Sequence, residues 1–366
     1  MPLIWCAISG HGYGHAAQVV PVLNELGRLV PSLRAILRTP VPASFFRDRL
    51  TIPWDLQPVH QDVGCVQRGP IQIDVPATWA AHLDFHTEWD QRLSAEISAL
   101  QSARPHVILA DTPYLACAAG AMAGIPTVAL ASLTWDEVLE PFASPGDLAQ
   151  QGILSSIRGA YGQADLALRI TPGLPMRAFR TVRDIGPIAQ PAASQRAELR
   201  THLNVDETER VVLVGFGGIP LTSLPLEQMA QMTGYRFIVD GVMIQGSSRF
   251  VGLPSLPFTF KTILASVDVI MTKPGYGTIV EAVALGTPVL YVRRYNFADE
   301  QLLVDFLHQH GHGMELSLDD FQRGRWAPAL ARLLKESAGT SRHPVAPTGA
   351  EDAANLLRHY LIPPEG

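Results

Sequence analysis

Short apolar runs alternate along the chain with segments in which apolar residues recur at helical spacing. The runs "LIWCAI" (3–8), "LRAILRT" (33–39), "HVILADT" (106–112) and "IPTVALAS" (125–132) are each bounded by turn-forming residues. Between them, "HAAQVVPVLNELGRLV" and "PYLACAAGAMAG" follow the period of a helix. Buried parallel strands joined by crossover helices produce this alternation. We therefore predict an α/β fold with a doubly wound sheet in the first part of the chain.

The same pattern restarts after a connector rich in Pro and Gly, "TPGLPMRAFRTVRDIGPIAQPAASQ". "RVVLVGFGG", "YRFIVDG", "VDVIMTKPGYG" and "TPVLYVRR" predict strands of a second doubly wound lobe, and "TIVEAVALG" predicts a helix within it. We place a Rossmann-like N-terminal domain at 1–190 and a Rossmann-like C-terminal domain at 191–345. Residues 346–366 form a linker and a C-terminal helix, which we expect to pack back across two lobes that face each other over a cleft.

Composition narrows the classes of function. The 366 residues are 47% hydrophobic and 17% charged, as in a compact globular protein, and the net charge of -6 offers no basic surface for nucleic acid. Cys6, Cys65 and Cys117 are scattered, so we expect reduced and mostly buried thiols. No apolar run has the length of a membrane-spanning helix, and "MPLIWCAISG" lacks a basic leader. We expect a cytoplasmic protein with no integral membrane segment.

The segment "MTKPGYGTIVE" (271–281) places two glycines between a predicted strand and a predicted helix. Free backbone N–H groups at such a turn attract phosphate, and the helix dipole adds to that attraction. Lys273 offers a positive charge before the turn, Thr278 a hydroxyl, and Glu281 a carboxylate one helical turn further on, suited to the hydroxyls of a ribose. The alternative is a plain turn followed by a capping-box glutamate.

This segment resembles the donor-binding segment of UDP-dependent glycosyltransferases with two Rossmann lobes, the GT-B fold. The family's His-Cys-Gly-Trp-Asn-Ser-x-x-Glu aligns with "KPGYGTIVE", and its later Glu-Gln pair aligns with Glu300 and Gln301. Lys273 replaces the phosphate-contacting His, and Gly277 replaces Asn. The resemblance assigns a UDP-linked sugar to a set of donor-binding residues: Gly217, Gly218, Thr259, Phe260, Lys273, Gly275, Tyr276, Gly277, Thr278, Glu281, Glu300 and Gln301.

A second resemblance covers nearly the whole chain. "GHGYGHA", "LRITPGLPMRAFR", "FGG", "GYGTIVEAVA" and "VRR" occur in the same order in the N-terminal glycosyltransferase-like region of plant L-arabinokinases. A sugar kinase follows that region in the family. Few residues of the present sequence follow its second predicted lobe, so we expect no kinase activity to carry over from the resemblance.

The loop "SGHGYGHA" (9–16) follows the first predicted strand, at the sheet edge where open α/β folds bind ligands. His15 occupies the position of the third glycine of a dinucleotide fingerprint, and "LRTP" supplies no acidic residue for a ribose, so we exclude a nicotinamide dehydrogenase. In GT-B enzymes the corresponding Gly-His supplies the catalytic base, which implies His15, with His11 as the alternative. Asp111, after another predicted strand, matches the aspartate that partners this histidine. Its alternative role is to cap the helix near Pro113.

We therefore expect a metal-independent, inverting glycosyltransferase that needs no cofactor beyond its sugar nucleotide and acts on an unknown hydroxyl acceptor. Retaining GT-B enzymes carry Glu-x7-Glu, and the first Glu falls on Lys273, which favours inversion. The acceptor side is expected to include His11, Gly12, Tyr13 and Trp135, where Trp135 either stacks on a sugar or packs in the core. A nucleotide-sugar epimerase and a catalytically silent sugar-nucleotide module are the alternatives.

Two histidine clusters are not predicted to bind metal. His82 and His86 are one helical turn apart but lack the glutamate of a zinc protease, so we expect surface or acceptor-site histidines. His308, His310 and His312 alternate with glycine where a helix is predicted to end, which is typical of a C-cap and the loop after it.

Overall fold

A computed structural model describes residues 1–69, 71–190, 192–216, 224–240, 248–339 and 345–362. The chain divides into two compact units. The first unit comprises Met1–Val66, Ile73–Ile188 and Pro347–Gly366, and the second comprises Gln67–Gln72 and Ala189–Ala346.

The first unit is built on a seven-stranded parallel sheet. A separate two-stranded ribbon pairs β4 (Gln67–Arg68) with β5 (Gln72–Ile73), and its residues up to Gln72 belong to the second unit. The strands of the seven-stranded sheet are β1 (Leu3–Ile8), β2 (Arg34–Arg38), β3 (Trp54–Gln57), β6 (Val107–Asp111), β7 (Thr127–Ala131), β8 (Leu166–Ile170) and β9 (Val182–Ile185). The order is β3-β2-β1-β6-β7-β8-β9. Strands β1, β6 and β7 are buried over nearly their whole length, which is why they appear in the sequence as continuous apolar runs.

Helices connect these strands in the crossover manner that parallel pairing requires. They are α1 (Gly14–Leu29), α2 (Ala43–Phe46), α3 (Val75–Thr87), α4 (Trp89–Ala103), α5 (Tyr114–Ala123), α6 (Trp135–Leu139) and α7 (Leu148–Tyr161), with a 3-10 turn at Glu140–Phe142. The strand order reverses between β1 and β6, which lie side by side with Ile8 opposite Asp111. Ligands of open α/β sheets bind at such a reversal.

The second unit contains a six-stranded parallel sheet of order β12-β11-β10-β13-β14-β15. The strands are β10 (Arg210–Val214), β11 (Tyr235–Val239), β12 (Phe250–Gly252), β13 (Val269–Thr272), β14 (Val289–Tyr291) and β15 (Gly313–Glu315). The helices are α8 (Arg196–Leu203), α9 (Leu226–Ala230), α10 (Phe260–Leu264), α11 (Tyr276–Leu285), α12 (Glu300–His310), α13 (Leu318–Gln322) and α14 (Ala327–Ser337), with a 3-10 turn at Leu253–Ser255. Here the order reverses between β10 and β13. The prediction of doubly wound α/β sheets is confirmed.

The C-terminal helix α15 (Gly349–Leu361) belongs to the first unit, although its residues follow the second unit in the chain. Its buried face includes Ala353, Leu357 and Leu361, and it lies against α1, β6 and β9. Asp352 on this helix accepts a hydrogen bond from the Gly186 backbone N–H at 3.0 Å. The apolar face of α15 is therefore the surface that fixes this helix to α1.

Three further features bear on function. Cys6, Cys65 and Cys117 are free and buried, as predicted. Within the described ranges, none of the helices combines the length and the apolar character that crossing a bilayer requires. In the same part of the chain, the structure brings no three His, Cys, Asp or Glu side chains together in a group that could hold a metal ion.

Candidate functional site

The loop after β1 is shaped by its glycines. A Cβ on Gly10 would lie 2.3 Å from Pro40 Cγ, and Gly12 has a φ of +79°, so both positions favour glycine. The loop brings the chain directly into α1, which begins at Gly14 with no side-chain cap. His15 is consequently the second residue of α1, beside the backbone N–H groups at its N-terminus.

His15 and Asp111 are in contact. His15 Nδ1 lies 3.1 Å from Asp111 Oδ1, and both side chains are buried. A carboxylate accepts a hydrogen bond from Nδ1–H, which makes Nε2 the basic nitrogen of the neutral ring. The alternative role of Asp111 as a helix cap is not what the structure has, because α5 begins after Pro113 without a side-chain cap bond.

Burial raises the pKa of the Asp111 carboxyl, and the charge and hydrogen bond of His15 oppose that rise. The two groups are therefore coupled: a positive charge on the imidazole ring favours an ionised Asp111, and the carboxylate stabilises that charge in return. A histidine oriented by a buried carboxylate is an arrangement that takes a proton from a hydroxyl group.

A second carboxylate, Asp62, belongs to this site and was missed by the sequence analysis. Asp62 is buried, and its Oδ2 accepts a hydrogen bond of 2.7 Å from the indole N–H of Trp135. The Thr112 hydroxyl lies 3.4 Å from the same oxygen. "VHQDVGC" has no periodicity or motif that would single out Asp62, and its partners lie 50 and 73 positions further along the chain.

Trp135 is 2% exposed, so its indole packs in the core and presents no open platform on which a sugar can stack. Its ring lies 5.2 Å from that of His11 and 6.0 Å from that of His15. His11 rests against the backbone of Gly64, where an added Cβ would lie 2.2 Å from its Nδ1. Of the two readings of Trp135, the structure agrees with packing.

Tyr13, in contrast, is 52% exposed. Its ring stacks on Phe45 of α2, with centroids 5.3 Å apart and an interplanar angle of 16°. Phe45 is partly buried, and Tyr13 precedes α1 by one residue, so the exposed Tyr13 ring is close in the chain to His15.

The turn between β13 and α11 leaves open space beside its two glycines. Helix α11 begins at Tyr276 without a side-chain cap, and an added Cβ on Gly275 or Gly277 would meet nothing within 4 Å. Neither glycine has a positive φ. The backbone conformation therefore does not require glycine here, and what the two glycines leave is space beside a helix N-terminus.

Lys273 is partly buried at this turn, and among the described residues it forms no ion pair. Burial and the neighbouring charge of Arg294 lower the pKa of its ammonium group to about 8. The Arg294 guanidinium donates a hydrogen bond of 2.6 Å to the Pro274 carbonyl and pairs with Glu300. An anion at this turn would meet a partly buried ammonium group on which Asp299 and Glu300 act electrostatically.

Glu281, Thr259 and Phe260, three of the predicted donor-binding residues, each have contacts within the second unit. Glu281 Oε1 lies 3.1 Å from Lys261 Nζ, which joins α11 to α10. Burial raises the pKa of Glu281, and Lys261 opposes the rise. Thr259 caps α10 by accepting a hydrogen bond from the Thr262 N–H, and the ring of Phe260 lies against Gly215.

Glu300 has a different environment from the one the resemblance implies. Its carboxylate is 1% exposed and accepts hydrogen bonds from Arg293 Nε, Arg294 Nε and the backbone N–H groups of Arg294 and Tyr295. Gln301 Oε1 accepts a bond from Arg293 and its amide N–H donates to Asp305. Both side chains hold the segment before α12, so in this structure Glu300 has no exposed oxygen for a sugar hydroxyl.

Other predicted residues have mixed outcomes. Gly217 and Gly218 lie outside the described residues. The surface position expected for His82 is wrong: the side chain is 0% exposed, because α3 turns it inward with Phe85, and burial lowers its pKa to about 4. The His86 ring is nearly parallel to those of Trp89 and Tyr114, at centroid distances of 5.3 and 5.7 Å. Helix α12 ends at His310 with Gly311 as its C-cap, as predicted.

Comparisons with known proteins agree with this architecture. No protein-family model matches the chain. A calicheamicin glycosyltransferase has a similar structure, with a TM-score of 0.67 and 18% identity over 99% of this chain and 98% of that one. A UDP-glucose:anthocyanidin 3-O-glucosyltransferase in complex with UDP gives a TM-score of 0.61 and 14% identity over 98% of each chain. The fold is GT-B.

In sequence, the chain is 28% identical to an L-arabinokinase of Arabidopsis thaliana over 359 residues. The alignment takes in 97% of this chain but 34% of the kinase. The chain therefore spans about a third of the length of this relative.

Proposed function

We propose that this protein is an inverting, metal-independent glycosyltransferase. It transfers a sugar from a nucleotide diphosphate sugar, with UDP as the expected nucleotide, to a hydroxyl group of an acceptor. The observation that carries the proposal is the contact between His15 and Asp111 where β1 and β6 end. The open turn before α11 supports it as the place for the diphosphate.

In the proposed reaction, Nε2 of His15 takes the proton of the acceptor hydroxyl as that oxygen bonds to the anomeric carbon. The bond between the anomeric carbon and the diphosphate breaks at the same time, and the nucleotide diphosphate leaves with both electrons. Asp111 stabilises the imidazolium, while the α11 amides, Lys273 and the Thr278 hydroxyl stabilise the negative charge on the leaving group. These fixed positive groups stabilise the leaving diphosphate, which in other transferases is the task of a bound metal ion.

On the acceptor side, the exposed Tyr13 ring, stacked on the partly buried Phe45, is the surface that an acceptor would contact. Trp135 is buried, so it does not contact the acceptor itself and affects the site through the residues that it packs against. On the donor side, Glu281 is the ribose-binding carboxylate, and Lys261 holds it in place until the ribose hydroxyls arrive. Glu300 supports the loop that carries Arg294, which in turn holds the turn at Pro274.

The proposal is tested first by thermal denaturation with UDP-, GDP- and dTDP-linked sugars, because a ligand that binds only the native state raises the melting temperature. UDP-linked sugars are expected to give the largest rise. No rise with any sugar nucleotide would contradict the proposal.

The chemistry is tested by replacing His15. His15→Ala is expected to lower UDP release from the preferred UDP-sugar by a factor of about 10² to 10⁴, the usual contribution of a general base, and to leave UDP affinity unchanged. His359→Ala, an exposed histidine on α15, is the matched control and should retain full activity. Unchanged turnover in His15→Ala would exclude it as the base. Conversion of the sugar nucleotide into an isomer would indicate an epimerase, and binding without turnover would indicate a silent module.

A further inference from the structure

Asp62 is a buried carboxylate with several polar partners and no role in the reaction as described so far. Besides Trp135 Nε1–H and the Thr112 hydroxyl, the Ser9 hydroxyl hydrogen-bonds to it. Thr112 is itself held by Tyr161, whose hydroxyl donates a bond of 2.7 Å to the Thr112 carbonyl. Burying a carboxylate is costly, and these contacts fix its position without neutralising it.

His15 is the basic residue whose charge lowers the pKa of Asp62. Burial raises the pKa of Asp62, while the hydrogen bonds from Trp135 and Ser9 and the charge of His15 lower it. The charge and the hydrogen bond of His15 lower the pKa of Asp111, and Asp62 in turn raises it. Asp111 contacts the His15 ring directly, and Asp62 is connected to it through Trp135, whose indole N–H donates to Asp62 and whose ring lies 6.0 Å from that of His15.

We propose that Asp62, held by the Trp135 indole, is a positioning residue that shares with Asp111 the stabilisation of positive charge on His15. The inference rests on the proposed role of His15 as the base. It explains why a tryptophan is buried beside this histidine: the indole N–H fixes the second carboxylate, and the indole ring packs against His15 and His11.

Two of the other titratable groups around Asp62 are phenols, which carry no positive charge. Tyr114 and Tyr161 interact with it electrostatically, but burial raises the pKa of both phenols, so they stay neutral at physiological pH. His11 packs on Gly64, two residues along the same loop, and on Trp135. His15 and Asp111 are the groups whose ionisation Asp62 affects at neutral pH.

The direct test is a titration of the histidine rings by NMR in the ligand-free protein, with His15 assigned by its absence in His15→Ala. In Asp62→Asn the midpoint of the His15 titration should fall by about 0.5 to 1 pH unit, because a negative charge that favours the protonated ring is lost. Asp136→Asn is the matched control: Asp136 is also a buried aspartate, paired with Arg158 rather than with His15. Its His15 midpoint should stay at the wild-type value. An unchanged midpoint in Asp62→Asn overturns the proposal.

Trp135→Phe provides a second variant if Asp62→Asn does not fold. It keeps the carboxylate but removes the N–H that orients it, and the His15 midpoint should move in the same direction by a smaller amount. An unmoved midpoint in this variant also contradicts the proposal. Because the titration needs no substrate, its outcome is independent of whether the protein turns over a sugar nucleotide. In the active enzyme, Asp62→Asn should shift the acidic limb of the curve of kcat against pH. KM for the UDP-sugar should stay within twofold of the wild type.

Discussion

Lys273 places a positive charge where burial and a neighbouring guanidinium disfavour it, and Asp299 and Glu300 offset this only in part. Burial and Arg294 lower the pKa of its ammonium group from 10.5 to about 8, so in the absence of ligand the protonated side chain destabilises the second unit. A residue that costs stability in the free protein and gains a partner on binding is characteristic of a functional site.

We predict that Lys273→Met raises the free energy of unfolding at pH 7 by up to about 3 kcal/mol and lowers UDP affinity at least tenfold. Between pH 8 and 10.5 the unfolded wild-type chain binds more protons than the folded chain does. The free energy of unfolding of the wild type should therefore rise with pH in this window, relative to the variant. Urea denaturation at pH 7 to 10, together with calorimetric titration of UDP, measures both quantities.

Lys335→Met is the control for this prediction, because Lys335 is an exposed lysine on α14 of the same unit. Its stability should lie within about 0.5 kcal/mol of the wild type at every pH, with unchanged UDP affinity. A Lys273→Met protein that is no more stable than the wild type at pH 7 would show that the buried charge carries no cost.

At the N-terminus of α11, a substitution can be chosen that affects ligand binding without lowering stability. Gly277 lies inside the helix, its φ is not positive, and a Cβ there meets nothing within 4 Å. Gly277→Ala should therefore leave the free energy of unfolding unchanged or raise it by up to about 1 kcal/mol. The added methyl group would occupy the space proposed for the diphosphate, so UDP affinity should fall at least tenfold in the same calorimetric experiment.

Gly286→Ala, at the other end of α11, should behave in the opposite way. Gly286 is the C-cap with a φ of +71°, so alanine there is expected to cost about 1 kcal/mol of stability and leave UDP affinity unchanged. Wild-type UDP affinity in Gly277→Ala would exclude this turn as the diphosphate site.

The contact between α15 and α1 ties the end of the chain to the helix that carries His15. Leu357 is fully buried in this contact, whereas its neighbour Leu356 is partly exposed. Leu357→Ala should lower the free energy of unfolding of the first unit by about 2 to 4 kcal/mol, and Leu356→Ala by less than half as much. Hydrogen exchange in α1 should speed up in the Leu357 variant. Equal losses in the two variants would contradict the assignment of the buried face.

For the molecule as a whole, the sequence predicts the elements better than the contacts between them. Buried parallel strands such as β1 and β6 are recognisable because both of their faces are apolar, and each glycine turn lies at the strand end that its motif indicates. The placement of His15 and Asp111 near one another follows from the same logic, because adjacent parallel strands end at one edge of the sheet.

What the sequence does not supply is the partner of a side chain that lies in an aperiodic segment. In the sequence, nothing distinguishes Asp62 from the other acidic residues. Its contact with Trp135 exists only in the folded structure. His82 carries no sign of burial, because α3 is only weakly amphipathic in sequence. Glu300 aligns with a sugar-binding residue, but alignment does not show that two arginines and two backbone amides already occupy its carboxylate.

The central claim is that the diphosphate of a sugar nucleotide binds at the turn before α11, and a crystal structure of the protein soaked with UDP tests it most directly. We expect diphosphate oxygens within hydrogen-bonding distance of the first backbone N–H groups of α11, the Lys273 ammonium group and the Thr278 hydroxyl, with the ribose at Glu281. UDP bound elsewhere in the molecule, while this turn holds no phosphate, would contradict the account.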